Sequence, residues 1–212
     1  MGLRERRDRE RKELKRAILE AAREIAATEG WQAVTIRKVA EKIEYSPPTI
    51  YEYFSSKEAI LGEEMRDGFH LLLADLQAAH DQHAEPLERL RAMGRAYWDF
   101  VWRHPEMYQV MSGLGGVGFC GDDQPAELNH KAEGEQVMTL FRGVLQTLLP
   151  ALGPDELTSK CIVLWSLFHG FVALIMSGRI PEGAREEALG LALRAVGDLM
   201  TVWRGAQAPS SV

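Results

Sequence analysis

One twenty-residue stretch, Thr35 to Phe54 (TIRKVAEKIEYSPPTIYEYF), constrains the fold of this chain more than any other. Ile36, Val39, Ala40 and Ile43 recur at i, i+3, i+4 and i+7, which places them on one face of a helix. Thr35 stands just before that face, where its hydroxyl can accept from a free N–H of the first turn. Glu44, Tyr45 and Ser46 leave room only for a turn. Pro47 and Pro48 then open a second short helix that runs towards Phe54. Proline is tolerated there because its missing N–H would have no intrahelical partner in any case. The second helix presents hydroxyls and phenols rather than a uniform charged face. This is a helix-turn-helix pattern, in which the second helix enters the major groove of DNA.

The pattern runs on beyond this stretch. A helix of the form T-x-R-x-hydrophobic-A is present as Thr35, Arg37, Val39 and Ala40. The run S-x-x-T-hydrophobic-Y-x-Y-F-x-x-K is present as Ser46, Thr49, Ile50, Tyr51, Tyr53, Phe54 and Lys57. With its spacing kept through Lys57, the segment from about Ala17 to Leu61 resembles the tetracycline-repressor (TetR/AcrR) family of bacterial transcription regulators. The resemblance implies phosphate contacts at Thr35, Tyr51, Tyr53 and Lys57. It implies contacts to base edges and thymine methyls at Arg37, Pro47, Pro48, Thr49 and Glu52, with Ser46 in the same DNA-facing run. The two prolines offer only apolar contact, whereas Glu52 can accept from a cytosine amino group. The family usually has glycine at the turn, and here Glu44 stands there. If that position requires φ > 0, glutamate costs on the order of 1 kcal/mol relative to glycine.

Charge is distributed unevenly. The net charge of −6 argues at first against a nucleic-acid partner. Residues 1–60, however, carry 13 Lys and Arg against 11 Asp and Glu, while residues 61–212 carry 12 against 20. A head of charge +2 on a body of charge −8 is compatible with DNA contact through the head alone. The N-terminal arm (Arg4, Arg6, Arg7, Arg9, Arg11, Lys12, Lys15, Arg16) is nearly half neutralised by Glu5, Asp8, Glu10 and Glu13. It reads either as a solvated helix face or as an arm reaching phosphates or a minor groove. It has no apolar stretch of the kind a signal peptide needs, so a cytoplasmic protein is expected. The two cysteines, Cys120 and Cys161, have neither metal-ligand spacing nor the look of a disulfide framework.

From Leu14 the chain turns amphipathic through Ile25, and Gly30 is placed to end that helix. Trp31 is expected to plug the core between it and the next two helices. Ser55 and Glu58 have capping-box spacing. They should open a long helix with Ile60, Leu61, Met65, Phe69, Leu72, Leu73 and Leu76 on its buried side. Pro86 restarts the chain with Leu87, Leu90, Met93, Tyr97 and Val101 on one face. A short helix should cover Pro105 to Met111. Ser112 to Pro125 is glycine-rich and reads as a loop, but it lacks the lysine and the preceding strand of a phosphate loop. Ala126 to Leu149 is a further helix.

Cys161 to Gly178 is apolar all round and long enough to raise the question of a membrane span. It also carries Ser166, His169, Gly170 and Ser177, has no second segment like it, and is followed by an amphipathic partner from Glu186 to Trp203. An all-apolar helix in a soluble chain must be covered on every side. One chain of this size covers one side, so the expectation is a homodimer built on this helix and the last one. On that expectation a charge at Leu167 or Val172 splits or unfolds the dimer. Trp165, His169 and Gly170 also resemble a Trp-x-x-x-His-Gly signature in the C-terminal domain of a subgroup of TetR-type regulators. His104 to Tyr108 is similar to a second segment of that subgroup.

Candidate sites in the body are fewer. His80 and His83 lie at i, i+3 on a polar helix end, where solvated histidines outweigh a metal pair. His169 sits among apolar residues and reads first as a packed histidine. Tyr97, Trp98, Trp102, Met107, Tyr108, Met111, Met138, Phe141 and Phe168 are richer in aromatic rings and thioethers than a plain aliphatic core. With His169 they are the candidate wall of an adaptable ligand pocket. No nucleophile elbow, metal signature or catalytic acid pair is present, and no enzyme activity or cofactor is expected. The expected fold is all-α. Residues 1–57 form a three-helix DNA-binding domain, 58–205 a ligand-binding and dimerisation domain, and 206–212 a disordered tail. The expected function is a ligand-responsive regulator, a repressor that binds a palindromic operator as a dimer and is released by a small apolar or aromatic effector. Two alternatives stand beside it: an all-helical binding protein or enzyme with a vestigial head, and a membrane-associated helical protein.

Overall fold

The computed structural model describes residues 2–114 and 130–206, and every regular element in them is helical. In chain order these are α1 (Leu3–Glu29), α2 (Ile36–Lys42), α3 (Pro47–Tyr51), α4 (Lys57–Asp81), α5 (Pro86–Arg103), α6 (Pro105–Ser112), α7 (Lys131–Leu148), α8 (Pro154–Met176) and α9 (Arg185–Gly205). Single 3₁₀ turns cover Trp31–Ala33 and Glu182–Ala184. The chain forms two compact units. One takes in Met1–Gly68 and His104–His130, the other Phe69–Arg103 and Lys131–Val212. The expected tail from residue 207, residues 115–125 of the expected loop and residues 126–129 of the expected helix lie outside the described residues.

In the first unit α1 ends at Gly30, whose φ of 82° is open to glycine and strained for other residues. The 3₁₀ turn that follows buries Trp31 completely. Its indole Nε1–H donates to the carbonyl oxygen of Glu106 at 2.9 Å, so α6 belongs to the core of this unit. Ile18, Ala22, Val34, Val39, Ile50, Phe54, Ile60 and Leu61 fill the rest of that core. The long helix α4 is capped by Ser56, whose Oγ accepts from the Ala59 N–H at 3.2 Å, one residue later than the Ser55–Glu58 spacing suggests. Gly68 admits α6 at close range: a β-carbon there would lie 2.5 Å from Met111 Sδ.

The second unit is built on α5, α7, α8 and α9. Leu90, Met93, Tyr97 and Val101 are buried along α5, as their spacing predicts, and Trp98 and Phe100 widen the buried face. Gly94 lets α8 approach, since a β-carbon there would stand 2.7 Å from Cζ of Phe168. Along α8 the buried set is Leu157, Cys161, Leu164, Phe168, Val172 and Ile175, and along α9 it is Ala188, Leu189, Ala192, Val196 and Met200. Lys160 at the start of α8 places its ammonium 4.5 Å from the Trp203 ring centroid.

Candidate functional site

The helix-turn-helix is set by three local devices. Thr35 caps α2, its hydroxyl accepting from the Lys38 N–H at 3.2 Å. The C-terminus of α2 closes in a Schellman motif: Tyr45 N–H donates to the Ala40 carbonyl at 2.9 Å and Glu44 N–H to the Glu41 carbonyl at 3.2 Å. That motif needs a left-handed residue between them, and Glu44 takes it with φ 59°. Ser46 then caps α3, accepting from the Thr49 N–H at 3.4 Å, while the two hydroxyls share a hydrogen bond at 2.9 Å. Pro47 and Pro48 occupy the first positions of α3.

The structure places the candidate DNA-contact residues as follows. Ile50 is wholly buried and anchors α3, which turns Pro47, Pro48, Tyr51 and Glu52 outward and leaves Thr49 half-buried. Thr35 and Arg37 are exposed at the opening of α2, which packs on α3. The helix of α3 stops at Tyr51, shorter than the expected run to Phe54. Tyr53 and Phe54 N–H groups both return to the Ile50 carbonyl at 2.9 Å, a turn that drives the Phe54 ring into the core and leaves Tyr53 half-buried. The Lys57 ammonium donates to the Trp31 carbonyl at 2.7 Å and to that of Gln32 at 3.4 Å. Its partial burial lowers its pKa, opposed by the neighbouring Glu58 carboxylate. Lys57 thus ties α4 to the 3₁₀ turn before α2.

Long-range pairs brace this unit, and no local pattern in the sequence announces them. Arg23 of α1 donates from Nε to both carboxylate oxygens of Glu64, at 3.0 and 2.8 Å, and Glu64 is fully buried on α4. Burial pushes the Glu64 carboxyl up to about 7, against the pull of the Arg23 guanidinium. Lys38–Glu29 at 2.6 Å and Lys42–Glu24 at 2.8 Å tie α2 to the end of α1. Lys15 bonds Glu63 at 2.5 Å and lies over the Phe54 ring. Only spatial neighbours identify these pairs, which are separated in sequence by up to 48 residues.

The aromatic and methionine set divides between the two units. Met107, Tyr108 and Met111 belong to α6 in the first, the first two buried and Met111 half-buried. In the second, Tyr97 meets Phe168 edge-on at 6.1 Å and Trp98 meets Trp102 at 5.7 Å, while Met138 and Phe141 are half-buried on α7. The Arg185 guanidinium covers the Trp102 ring at 3.9 Å. The Trp102 Nε1–H and the Arg185 Nε–H are both buried without an acceptor among the described residues. His169 is half-buried, its ring tilted 43° to that of Trp165 at 5.4 Å, and its burial lowers its pKa.

The apolar helix α8 is long and apolar enough to cross a membrane by length and composition. One side of it is packed against α7 and α9. Ile162, Val163, Trp165 and Leu174 on its other side are 48, 44, 49 and 39% exposed, and Leu191 and Val202 of α9 are exposed as well.

Two family descriptions match the chain. Residues 18–63 match "Bacterial regulatory proteins, tetR family", and residues 90–197 match "Tetracyclin repressor-like, C-terminal domain". The repressor KstR2 of Mycobacterium tuberculosis is 31% identical over 87 residues, 41% of this chain and 44% of that protein. The repressor KstR of Rhodococcus jostii is 29% identical over 101 residues, 48% of this chain and 47% of that protein. The chain thus spans about half the length of the curated relatives it matches. The TetR family regulator PfmR from Thermus thermophilus superposes with a TM-score of 0.63 at 22% identity, over 84% of this chain and 97% of that one. The fatty acid degradation regulator FadR from Bacillus halodurans gives a TM-score of 0.65 at 15% identity, over 84 and 94%. At these identities the two structures show a shared fold. The capped and turned α2–α3 pair, the all-helical body and the two matched segments lead to one assignment: the chain belongs to the TetR family of bacterial regulatory proteins.

Proposed function

We propose that the protein is a cytoplasmic transcriptional repressor that binds a palindromic operator as a homodimer and is released by a small apolar or aromatic effector. The observation that carries this reading is the outward face of α3: with Ile50 buried, Pro47, Pro48, Tyr51 and Glu52 stand exposed beside Thr35 and Arg37. Short apolar and acceptor side chains on a helix of this size fit base edges and thymine methyls, while Thr35, Tyr51 and Tyr53 supply phosphate partners. Lys57 adds one charge to that backbone contact, with part of its donor capacity taken by carbonyls. Repression, rather than activation, follows the curated relatives named as repressors. Residues 1–57 act as the DNA-binding domain and 58–205 as the effector and dimer domain. Tyr97, Trp98, Trp102, Met138, Phe141, Phe168 and His169, all within the second unit, contribute to effector binding. The orphan donors on Trp102 and Arg185 support an effector that brings a hydrogen-bond acceptor.

Selection of duplexes from random DNA tests the reading. A recovered two-fold symmetric sequence, with half-sites about one helical turn (34–36 Å) apart, is the expected result. Lys57→Ala should then weaken binding to every sequence alike and lower the salt slope by about one unit. Failure to enrich any sequence removes the repressor reading. An unchanged slope with an altered sequence preference removes the phosphate role of Lys57.

A further inference from the structure

The N-terminal arm has a sidedness that its composition conceals. Helix α1 is continuous from Leu3 to Glu29, and residues 4–13 are exposed. Ile25, Ile18, Arg11 and Arg4 follow one another at seven-residue spacing, and Ala21, Leu14 and Arg7 form the neighbouring row. Seven residues are close to two helical turns, so each row stays on one side of the helix. Ile18, Ala21 and Ile25 are buried. The side that packs into the first unit therefore continues beyond it as Arg4, Arg7 and Arg11.

Only part of the acidic complement follows. At about 100° per residue Glu5 and Glu13 fall on the far side, while Glu10 lies on the flank, about 60° from Arg7, and holds Arg6 at 2.8 Å. Asp8 lies beside the arginine rows, about 40° from Arg4 and about 60° from Arg11. Arg4, Arg7 and Arg11 enter no ion pair among the described residues. The ridge adjoins the helix-turn-helix, since the Arg11 guanidinium lies 5.9 Å from the ring centroid of Tyr53. Over residues 4–13 six basic and four acidic side chains are mixed in sequence, but three of the arginines share one side.

We propose that Arg4, Arg7 and Arg11 form a second DNA-contacting ridge, which grips phosphates of duplex DNA flanking the segment read by α3. This rests on the DNA-binding reading above and extends its surface. Two observations choose this occupant: the ridge continues the surface of Tyr53, and guanidinium groups pair bidentately with phosphate. From Arg4 to Arg11 the helix rises about 10 Å, close to three base pairs of duplex. The contact is with backbone, so it carries affinity and salt dependence but no sequence preference.

The test compares three proteins on a duplex recovered by selection, with long flanks and again trimmed by about five base pairs at each end. Arg4→Gln with Arg7→Gln removes two charges from the ridge. Arg6→Gln with Arg9→Gln removes the same charge from the far side. On the long duplex the ridge variant should lower the slope of log Kd against log salt by about two units per bound protomer, and the far-side variant by less than half of that. On the trimmed duplex wild type and ridge variant should coincide. Equal slopes for wild type and ridge variant on the long duplex overturn the ridge, as do equal losses from the two faces. A wild type that binds no selected duplex overturns the DNA-binding reading itself. Both pairs of substitutions lie on exposed turns, and circular dichroism checks that α1 is retained.

Discussion

At the scale of single residues, Glu44 and Glu64 both hold positions that cost free energy. Glu44 sits in the left-handed position of a Schellman motif, at φ 59°. An L-residue loses roughly 1–2 kcal/mol there relative to its right-handed basin, and glycine does not. Glu44→Gly should therefore stabilise the protein by about 1 kcal/mol, a rise in Tm of about 2–4 °C for a chain of this length. Thermal unfolding measures it, and an unchanged or lower Tm contradicts the strain. Glu64 is a buried carboxylate with its pKa raised by burial to about 7. The sign follows from linkage: a carboxyl whose folded pKa lies above its unfolded value holds its proton more tightly in the folded state. Its stabilisation is complete below the unfolded pKa and is lost as pH rises through about 7. Wild type should lose stability relative to Glu64→Gln across that window, by up to about 3 kcal/mol at 1.36 kcal/mol per unit. Denaturant titrations of both proteins across the window give the difference. A difference that stays constant with pH contradicts the assignment.

At the scale of elements, local signals and spatial signals separate cleanly. Thr35 as a cap, Gly30 as a stop and Glu44 as a left-handed residue were all legible in the sequence, because each depends on chain neighbours within a few residues. The end of α3 at Tyr51 was not, because it is decided by the Phe54 ring turning into the core. Nor was the placement of α6, which depends on a hydrogen bond from Trp31 to Glu106 across 75 residues. The candidate DNA-contact residues were legible as a motif, but the carbonyl partners of Lys57 were not. Helix α8 shows the same division. Its composition has no polar face, so periodicity cannot tell the packed side from the open one. The structure can, and it changes the choice of variants. Val172 is fully buried within the second unit and Leu167 is half-buried, whereas Trp165 is 49% exposed. Trp165→Glu should leave a folded protein that sediments as a monomer, and Val172→Glu should unfold the second unit by burying an unpaired charge. Sedimentation velocity with circular dichroism separates the two. A Trp165→Glu protein that remains dimeric removes this face of α8 from the proposed interface.

At the scale of the whole molecule, regulation requires that effector and operator prefer different states of one protein. The described three-helix head is small, and its candidate DNA face takes up the exposed sides of α2 and α3. The aromatic side chains of α5, α7 and α8 are the proposed place for an effector. The connection is covalent, since α4 runs from Lys57 to Asp81 and supplies residues to both units. An effector that favours an arrangement with the two heads off the one-turn spacing weakens operator binding only as far as it prefers that arrangement. Couplings of this kind are typically about 1–3 kcal/mol, so a ligand found by thermal-shift screening should lower operator affinity roughly 5- to 150-fold. Linkage then demands the converse: saturating operator must lower affinity for that ligand by the same factor. Met138→Trp and Phe141→Trp place bulk at half-buried positions of α7, and each should mimic the effector or block it. Titrating ligand with and without operator, and operator with and without ligand, gives the two factors independently. A body-bound ligand that leaves operator affinity unchanged is not an inducer. A ligand that shifts one affinity without the reciprocal shift in the other acts on the DNA surface or on aggregation, not through the protein's two states.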